Sequence, residues 1–463
     1  MSKKIFILLP DGVGLRNFAF TQFYNMGKEK GFDIVFWNNT IFDLRSVGIN
    51  EIKISGSKLH PLTDVLKTAK IHLELNQFIR KTNDTIYDTY RFPFSNKSIK
   101  SKLKSFLIKL IIKLFDSEKG LNKIRNQIKR QERSTAYYKK SLQTLQRERA
   151  SFVFCTNQRP VIAIAPLLAA HDLGIPTATF IFSWDNLPKA TMVVETDYYF
   201  VWSNFMKKEL LFYYPNIIEN QIFITGTPQF EPHFDSSLLM KKESFFNKYN
   251  LDLNKKYICF SGDDITTSPY DETYLEDIAK AITLLNKKDF NLGVIFRRCP
   301  VDFSNRYDIV LKKYAEIIVP IDPLWKQNGE TWNTVMPTTE DLSLQINIIA
   351  NSEFVINIAS SMVFDFVAFN KACMYINYNE KNKSLKDWNS KKVYNFVHFR
   401  SMPSKEAVIW LTNKDEIPSK IEKTLHNSKT TIKKAEEWFK IINIENPEQA
   451  SENIWNSILK ILA

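Results

Sequence analysis

A turn of small polar residues between an apolar run and a helical pattern could bind a phosphate group. Phe354–Ile358 is typical of a buried strand, and Ala359, Ser360 and Ser361 then turn the chain into a helix. Free backbone N–H groups at a helix start, together with the helix dipole, bind anions. Asp365 follows one helical turn later, where its carboxylate could accept hydrogen bonds from an adjoining ribose. An ordinary capped strand–helix junction with an exposed aspartate fits the same pattern.

Two arginines at the end of another apolar run could hold the same phosphate. Leu292–Phe296 is typical of a strand, and Arg297 and Arg298 follow it directly. Residues after parallel strands face the crevice where α/β proteins bind ligands, and the forked donors of arginine suit phosphate. Because neighbouring residues point to opposite sides, we expect one of the two arginines to be solvated.

The strand Tyr257–Phe260 runs into a third loop of this kind. Ser261 and Gly262 come first, and the glycine permits close approach of the backbone to a nucleotide. Asp263 and Asp264 follow, but no histidine or third carboxylate is grouped with them in the sequence. We therefore expect no metal.

Two aspartates in the first half of the chain are candidate general bases. Asp11 follows the strand Lys4–Leu9, in a loop that lacks the third glycine of a dinucleotide fingerprint. Asp185 follows the strand Thr177–Phe182. Either carboxylate could deprotonate an acceptor hydroxyl, and either could instead belong to an ordinary turn.

Three further residues are placed on the acceptor side, namely Arg16, Trp184 and Asn186. The indole of Trp184 could stack on a sugar, and it could equally anchor its own loop.

The elements that position these residues alternate between strand and helix. Lys4–Leu9, Phe18–Lys30 and Asp33–Trp37 form a βαβ pattern, which predicts a parallel sheet with a right-handed crossover. The alternation of strand and helix patterns stops over Gly226–Leu253 and then continues. We therefore predict an α/β protein of two Rossmann-like domains that face each other across a cleft. The first predicted domain, 1–235, would bind the acceptor of a transferred group, and the second, 236–463, would bind its donor. A C-terminal helix is predicted to close the second domain.

A basic helical insertion is predicted at about 90–150 in the first domain. One face carries large apolar residues, and a lysine stripe lies beside it; the apolar residues are Leu103, Phe106, Leu107, Leu110, Ile111 and Leu114, and the lysines are Lys102, Lys109 and Lys113. This pattern is typical of a helix lying on an anionic membrane. Ile108 and Ile112 widen the apolar face, which favours a helix packed on its own domain.

Composition restricts the partners and the compartment. The chain has 463 residues with 44% hydrophobic residues, enough for two cores, and a formal net charge of +13, which favours an anionic partner. Its lysines are dispersed or lie in helical stripes, so we expect no nucleic acid. The four cysteines have no CxxC spacing, and the first apolar run is too short for a signal peptide. We expect a cytoplasmic protein that can work at the inner face of the membrane.

Two stretches resemble known glycosyltransferases. SSMVFDF followed by AFNKACMYIN looks like the C-terminal donor-site motif of bacterial GT-B enzymes, and it is similar to the Ser-Ser-x-x-x-Asp pattern of polymerases that use CDP-glycerol. The run from Phe154 to Phe234 resembles bacterial proteins of the UDP-glycosyltransferase type. The resemblance implies that Ser360 and Ser361 contact the donor phosphates and that Asp365 lies toward the ribose. The usual Arg-x-His-Pro reads Arg-Arg-Cys-Pro here, which disfavours glycerophosphate transfer.

The resemblance implies a glycosyltransferase without a metal or cofactor. Its donor would be a nucleotide sugar, with UDP as the expected nucleotide, and its acceptor a hydroxyl of a cell-surface glycan or a lipid-linked intermediate. The alternatives are a CDP-glycerol or ribitol-type polyol-phosphate transferase and a non-catalytic nucleotide-sugar binding protein. A UDP-sugar 2-epimerase shares the fold, but the sequence shows no clustered set of acids for it.

Overall fold

The protein consists of two compact units. The computed structural model describes residues 3–95, 97–327, 335–379 and 388–463. The first unit comprises Met1–Pro228 and Gln449–Ala463, and the second comprises Gln229–Glu448. Within the described residues, no helix is both long and apolar enough to cross a bilayer.

The first unit is built on a seven-stranded parallel sheet with the order β3-β2-β1-β4-β5-β6-β7. Its strands are β1 (Lys4–Leu9), β2 (Asp33–Asn38), β3 (Glu51–Lys53), β4 (Phe152–Cys155), β5 (Thr177–Phe180), β6 (Tyr198–Val201) and β7 (Ile222–Ile224). The central strands β1 and β4 are almost continuously apolar and buried. Such strands need cover on both faces, which the helices provide.

In the described part of the first unit, seven α-helices precede the second unit in the chain. They are α1 (Phe23–Glu29), α2 (Thr63–Thr82), α3 (Ile99–Phe115), α4 (Glu118–Arg133), α5 (Ala136–Glu148), α6 (Ile164–Asp172) and α7 (Asn204–Tyr213). A π-helical turn, Leu15–Ala19, precedes α1. Helices α3, α4 and α5 form the helical insertion that the sequence predicts between β3 and β4.

The last helix of the chain belongs to the first unit, not to the second as predicted. The indole of Trp455 on this helix, α16 (Ala450–Leu462), stacks on Phe23 with 4.7 Å between ring centroids and on Phe32 with 5.1 Å. The indole nitrogen also donates a 2.8 Å hydrogen bond to the carbonyl of Phe23. The helical period identifies an apolar face, but it does not identify the core that this face covers.

The second unit is built on a six-stranded parallel sheet with the order β10-β9-β8-β13-β14-β15. Its strands are β8 (Lys256–Ser261), β9 (Leu292–Arg297), β10 (Ile318–Pro320), β13 (Val355–Asn357), β14 (Cys373–Ile376) and β15 (Ile409–Leu411). The short strands β11 (Lys326–Gln327) and β12 (Val335–Met336) pair separately and antiparallel. The helices are α8 (Lys242–Lys248), α9 (Asp271–Asn286), α10 (Asp308–Lys313), α11 (Thr339–Ala350), α12 (Met362–Val367), α13 (Ser390–Val393), α14 (Ile417–His426) and α15 (Lys429–Ile442).

Each sheet has a point where the strand order reverses. In the first sheet this point lies between β1 and β4, and in the second it lies between β8 and β13. Doubly wound sheets bind their ligands outside the carboxyl ends of the strands at such a switch point. The predicted pair of Rossmann-like domains is confirmed, and the two switch points are where its candidate residues should lie.

Candidate functional site

Asp11 lies at the switch point of the first sheet. It follows β1, and its Oδ2 accepts a 2.8 Å hydrogen bond from the side-chain nitrogen of Asn157, which follows β4. The two loops pack tightly beside this bond, since a Cβ on Gly14 would lie 2.4 Å from the hydroxyl oxygen of Thr156. Only glycine therefore fits at position 14 without a shift of its neighbours.

Burial makes Asp11 an unusual carboxyl group. Burial raises the pKa of Asp11 from its ordinary value of 3.8 to about 6, although the backbone of Val13 and Gly14, the charge of Arg159 and the amide of Asn157 oppose the rise. Its Oδ1 is buried, and no described residue forms a hydrogen bond with that atom. A carboxylate with a pKa near neutrality and an unused oxygen suits a general base.

Asp185, the second candidate base, is held by its own loop. Its carboxylate forms an ion pair with Lys189 and accepts hydrogen bonds of 2.6 Å from the hydroxyl of Ser183 and 2.8 Å from the amide of Asn186. The carboxylate of Asp185 is therefore already bound by three partners of its own loop. The geometry therefore favours Asp11 over Asp185.

The neighbours of Asp185 do not form the sugar platform that one interpretation of the sequence suggests. The indole of Trp184 is 6% exposed, so it anchors the loop and offers no face for stacking. Asn186 is buried and accepts a 2.9 Å hydrogen bond from Gln158, which ties this loop to the loop after β4. The predicted acceptor contacts of both residues are therefore wrong. Arg16 lies half-buried on the π-helical turn, and its predicted role stays a prediction.

Two polar residues of the first unit escaped the sequence analysis. Asn157 could have been found, because it follows an apolar strand as Asp11 and Asp185 do. Glu209 gave no such signal, because it lies on α7 and only helix packing buries it. Burial, with a smaller contribution from the charge of Asp185, raises the pKa of Glu209 to about 8.

The serine turn lies at the switch point of the second sheet, directly after β13. Ala359 has a left-handed backbone with φ 54°, and the N–H of Ser360 donates a 3.0 Å hydrogen bond to the side chain of Asn357. Ser361 occupies the N-cap position of α12 without a side-chain capping bond. Tyr375 fixes the turn further, since its hydroxyl donates to the carbonyl of Ser360 at 2.8 Å. The turn is rigid, and both serines are half-buried.

Asp365 does not lie toward a ligand, contrary to the expectation. It is 2% exposed, and its Oδ1 accepts hydrogen bonds from His233 at 2.9 Å and from the amide of Gln345 at 3.2 Å. Both partners belong to the interior of the second unit. The predicted ribose contact is wrong, because α12 turns this residue toward α11 and the segment that contains His233.

Arg297 forms a buried ion pair inside the second unit. It is buried, and its Nη2 lies 2.9 Å from both carboxylate oxygens of Asp341 on α11. Arg298 is half-buried, donates a 2.7 Å hydrogen bond to the carbonyl of Ser304 and lies over the ring of Tyr307. Neither arginine simply points into solvent, contrary to the expectation for one of them. Nη1 of Arg297 is buried and has no hydrogen-bond partner among the described residues, so the phosphate role of both arginines stays a prediction.

The loop after β8 holds buried acids beside Ser261 and Gly262. The carboxylate of Asp271 accepts a 2.8 Å hydrogen bond from the hydroxyl of Tyr307 and a 3.2 Å bond from the backbone N–H of Asp263. Burial raises the pKa of both aspartates, and their mutual repulsion raises that of Asp263 further. In the part of the chain that the structure describes, no group of histidine, cysteine, aspartate and glutamate side chains has the geometry to hold a metal ion.

A groove of about 590 Å³ opens at the carboxyl ends of β14 and β15. The rings of Tyr394, Phe399 and Trp410 form part of its wall, and Lys391 and Lys405 lie at its edge. The hydroxyl of Tyr394 also accepts a 3.2 Å hydrogen bond from the backbone N–H of Ala359 in the serine turn. Tyr394 therefore links the wall of the groove to the serine turn.

Comparison with known proteins establishes the fold. No protein-family model matches the chain, and neither does any curated protein. Among solved structures, UDP-GlcNAc 2-epimerase from Methanocaldococcus jannaschii matches with 13% identity, complete coverage of both chains and a TM-score of 0.53. A glycosyltransferase from Rickettsia africae matches with 11% identity, 99% coverage of both chains and a TM-score of 0.51.

A protein of Listeria monocytogenes named as a UDP-N-acetylglucosamine 2-epimerase matches with 10% identity, over 100% of this chain and 97% of the other, and a TM-score of 0.55. The fold is of the GT-B type. At these identities the likeness concerns the fold alone, since one fold serves many activities.

Proposed function

We propose that this protein is a glycosyltransferase that moves a sugar from a nucleotide donor, with UDP as the expected nucleotide, to a hydroxyl of a glycan or a lipid-linked acceptor. The observation that supports this most is Asp11, a half-buried residue at the switch point whose pKa of about 6 suits a general base. At neutral pH it is mostly ionised, and its unused Oδ1 can accept a proton.

In the proposed reaction, Asp11 takes the proton of the acceptor hydroxyl while the oxygen attacks the anomeric carbon. The bond between that carbon and the donor phosphate breaks, and the electron pair leaves with the nucleoside diphosphate. Asn157 orients Asp11 through the 2.8 Å hydrogen bond. The step needs no metal, because the protein's own donors meet the charge of the leaving diphosphate.

Those donors are proposed in the second unit. The serine turn offers hydroxyl and backbone N–H groups at the switch point, and its rigidity lowers the cost of reorganisation. The Ser261–Gly262 loop lies at the same switch point, after β8. Arg298 supplies a positive charge, while Arg297 is committed to Asp341.

A nucleotide-sugar 2-epimerase is the second candidate. The solved proteins from Methanocaldococcus jannaschii and Listeria monocytogenes carry that name and share the fold. The first unit also holds a buried acid that the sequence did not reveal, Glu209, whose pKa is raised by burial and to a smaller extent by the charge of Asp185. Epimerisation at carbon needs groups that remove and return a proton, and a buried glutamate with a pKa of about 8 suits that task.

The first test is a thermal-shift titration with UDP, CDP, GDP, dTDP and CMP, without metal and with EDTA. Selective stabilisation by one diphosphate that Ser360→Ala and Ser361→Ala weaken would support the donor site and name the nucleotide. A response to CDP alone would favour polyol-phosphate transfer instead. No response at millimolar concentration would contradict both enzyme hypotheses.

The second test separates the activities. The protein is incubated with the nucleotide sugar that carries the selected base, with and without a membrane extract as acceptor. Conversion of the donor to its epimer without acceptor would identify an epimerase, while turnover that requires the acceptor would support transfer. Binding without either reaction would indicate a non-catalytic nucleotide-sugar binding protein.

A further inference from the structure

Helix α3 has two apolar faces, and the protein covers only one. At about 100° per residue, Ile108, Ile111, Ile112 and Phe115 lie on the inner face together with Ser105. Ile108 is buried against α2, and the other three apolar side chains are partly buried against the core of the first unit. The packed-helix interpretation of the sequence is therefore correct for this face.

The opposite face remains exposed over the length of the helix. We call it the outer stripe; it consists of Ile99, Leu103, Phe106, Leu107, Leu110 and Leu114. These side chains are between 37% and 86% exposed, and Phe92, in the segment before the helix, is 82% exposed. Contiguous exposed apolar residues of this number mark an interaction surface.

Lysines flank the outer stripe on both sides. On a helical wheel, Lys102, Lys109 and Lys113 lie along one edge and Lys100 lies at the other, while Lys104 falls between the inner-face residues Ile111 and Phe115. All five are exposed, and the sequence of α3 contains no acidic residue. Lys104 pairs with Asp64 of α2, so the other four carry the charge of this surface outward.

We propose that α3 docks the protein on an anionic lipid bilayer. The outer stripe would enter the boundary between headgroups and acyl chains, and the flanking lysines would meet the lipid phosphates. Because the inner face holds α3 against the first unit, the helix would lie in the membrane plane, over about 25 Å of surface. This inference stands apart from the proposed reaction.

Charge decides between a bilayer and a protein as the occupant. A second copy of this basic chain would bring like charges against the lysines at both edges. An anionic bilayer can bury the apolar side chains of the outer stripe and pair with the lysines on both edges at the same time. An ordinary apolar protein groove would satisfy only the stripe.

The test is co-sedimentation with phosphatidylcholine vesicles that do or do not contain phosphatidylglycerol. We expect the protein to bind the anionic vesicles and to bind pure phosphatidylcholine far more weakly. The variant Leu103→Gln/Phe106→Gln/Leu110→Gln should bind at least about 100-fold more weakly, since each apolar side chain loses its burial in lipid. The control Ile309→Gln, at an 80% exposed apolar residue of α10, should bind like the wild type.

A charge variant separates the two contributions. Lys102→Gln/Lys109→Gln/Lys113→Gln should weaken binding to anionic vesicles by about 100-fold, at roughly fivefold per lysine. Circular dichroism should show the same helix content in all variants, because the changed side chains are exposed. The proposal is overturned if the stripe variant binds anionic vesicles as well as the wild type does, or if the wild type does not bind anionic vesicles. It is also overturned if the stripe mediates only self-association, as measured by analytical ultracentrifugation.

Discussion

The imidazole Nε2 of His233 lies 2.9 Å from Oδ1 of Asp365, and both side chains are buried in the second unit. The other ring nitrogen of His233 lies 3.2 Å from the carbonyl oxygen of Phe230. Both partners of the ring are oxygen atoms, one of a carboxylate and one of a backbone carbonyl. Asp365 therefore links the segment after β7 to α12.

Removing one partner of this pair should destabilise the second unit. We expect His233→Ala to lower the free energy of unfolding by about 1–3 kcal/mol, because the buried carboxylate of Asp365 loses the bond from His233 and keeps the one from Gln345. Thermal unfolding monitored by circular dichroism measures the effect. The control Asp308→Asn, at an exposed aspartate of α10, should stay within about 0.5 kcal/mol of the wild type. An equal effect of both substitutions would contradict a buried pair.

Asp11 should make the protein less stable as the pH rises from 4 to 6. Its pKa is raised from 3.8 to about 6, so in this range the folded state binds the proton that the unfolded state releases. The contribution of that proton to the free energy of unfolding is complete below pH 4 and is lost above pH 6. Asp11→Asn removes the dependence, so the variant should exceed the wild type by about 3 kcal/mol above pH 6 and by little at pH 4. Urea unfolding at the two pH values measures this difference, and a gap that does not grow with pH would be inconsistent with a raised pKa.

The same residue should control the proposed reaction. Asp11→Asn should lower kcat by about 10²- to 10⁴-fold, because the amide cannot accept a proton from the acceptor. In the wild type, kcat/KM should rise with pH around a midpoint near 6, where Asp11 ionises. The matched control is Asp185→Asn, which removes an ion-paired carboxylate and should cost less activity. A larger loss of kcat in Asp185→Asn than in Asp11→Asn would indicate that Asp185 is the base.

The neighbouring arginines should respond differently to substitution. Arg297→Gln breaks a buried pair with Asp341 and should lower the free energy of unfolding by about 3–5 kcal/mol. Arg298→Gln changes a half-buried side chain; it should affect stability less and weaken nucleotide binding by about tenfold. Thermal shifts with and without the nucleotide measure both quantities. Unchanged nucleotide affinity in Arg298→Gln would remove this residue from the donor site.

The fold was predictable from the sequence because its determinants are local. An apolar run such as Ile5–Leu9 is typical of a strand covered on both faces, and the alternation with helices favours a parallel sheet. In a parallel sheet every residue that follows a strand reaches the same edge. That is why Asp11, Ser261 and Ser360 were correctly expected at the carboxyl ends of strands.

Only the tertiary structure decided which of these side chains remain available to a ligand. Asp365, Arg297 and Trp184 stand in sequence patterns as suggestive as that of Asp11, but packing buries them against partners distant in the chain. The place of a residue on a strand or helix follows from local periodicity. The direction in which its side chain points and the extent of its burial depend on the elements that pack against that strand or helix. The sequence therefore determined where the chain turns at each strand end, and long-range packing determined which polar groups are already paired.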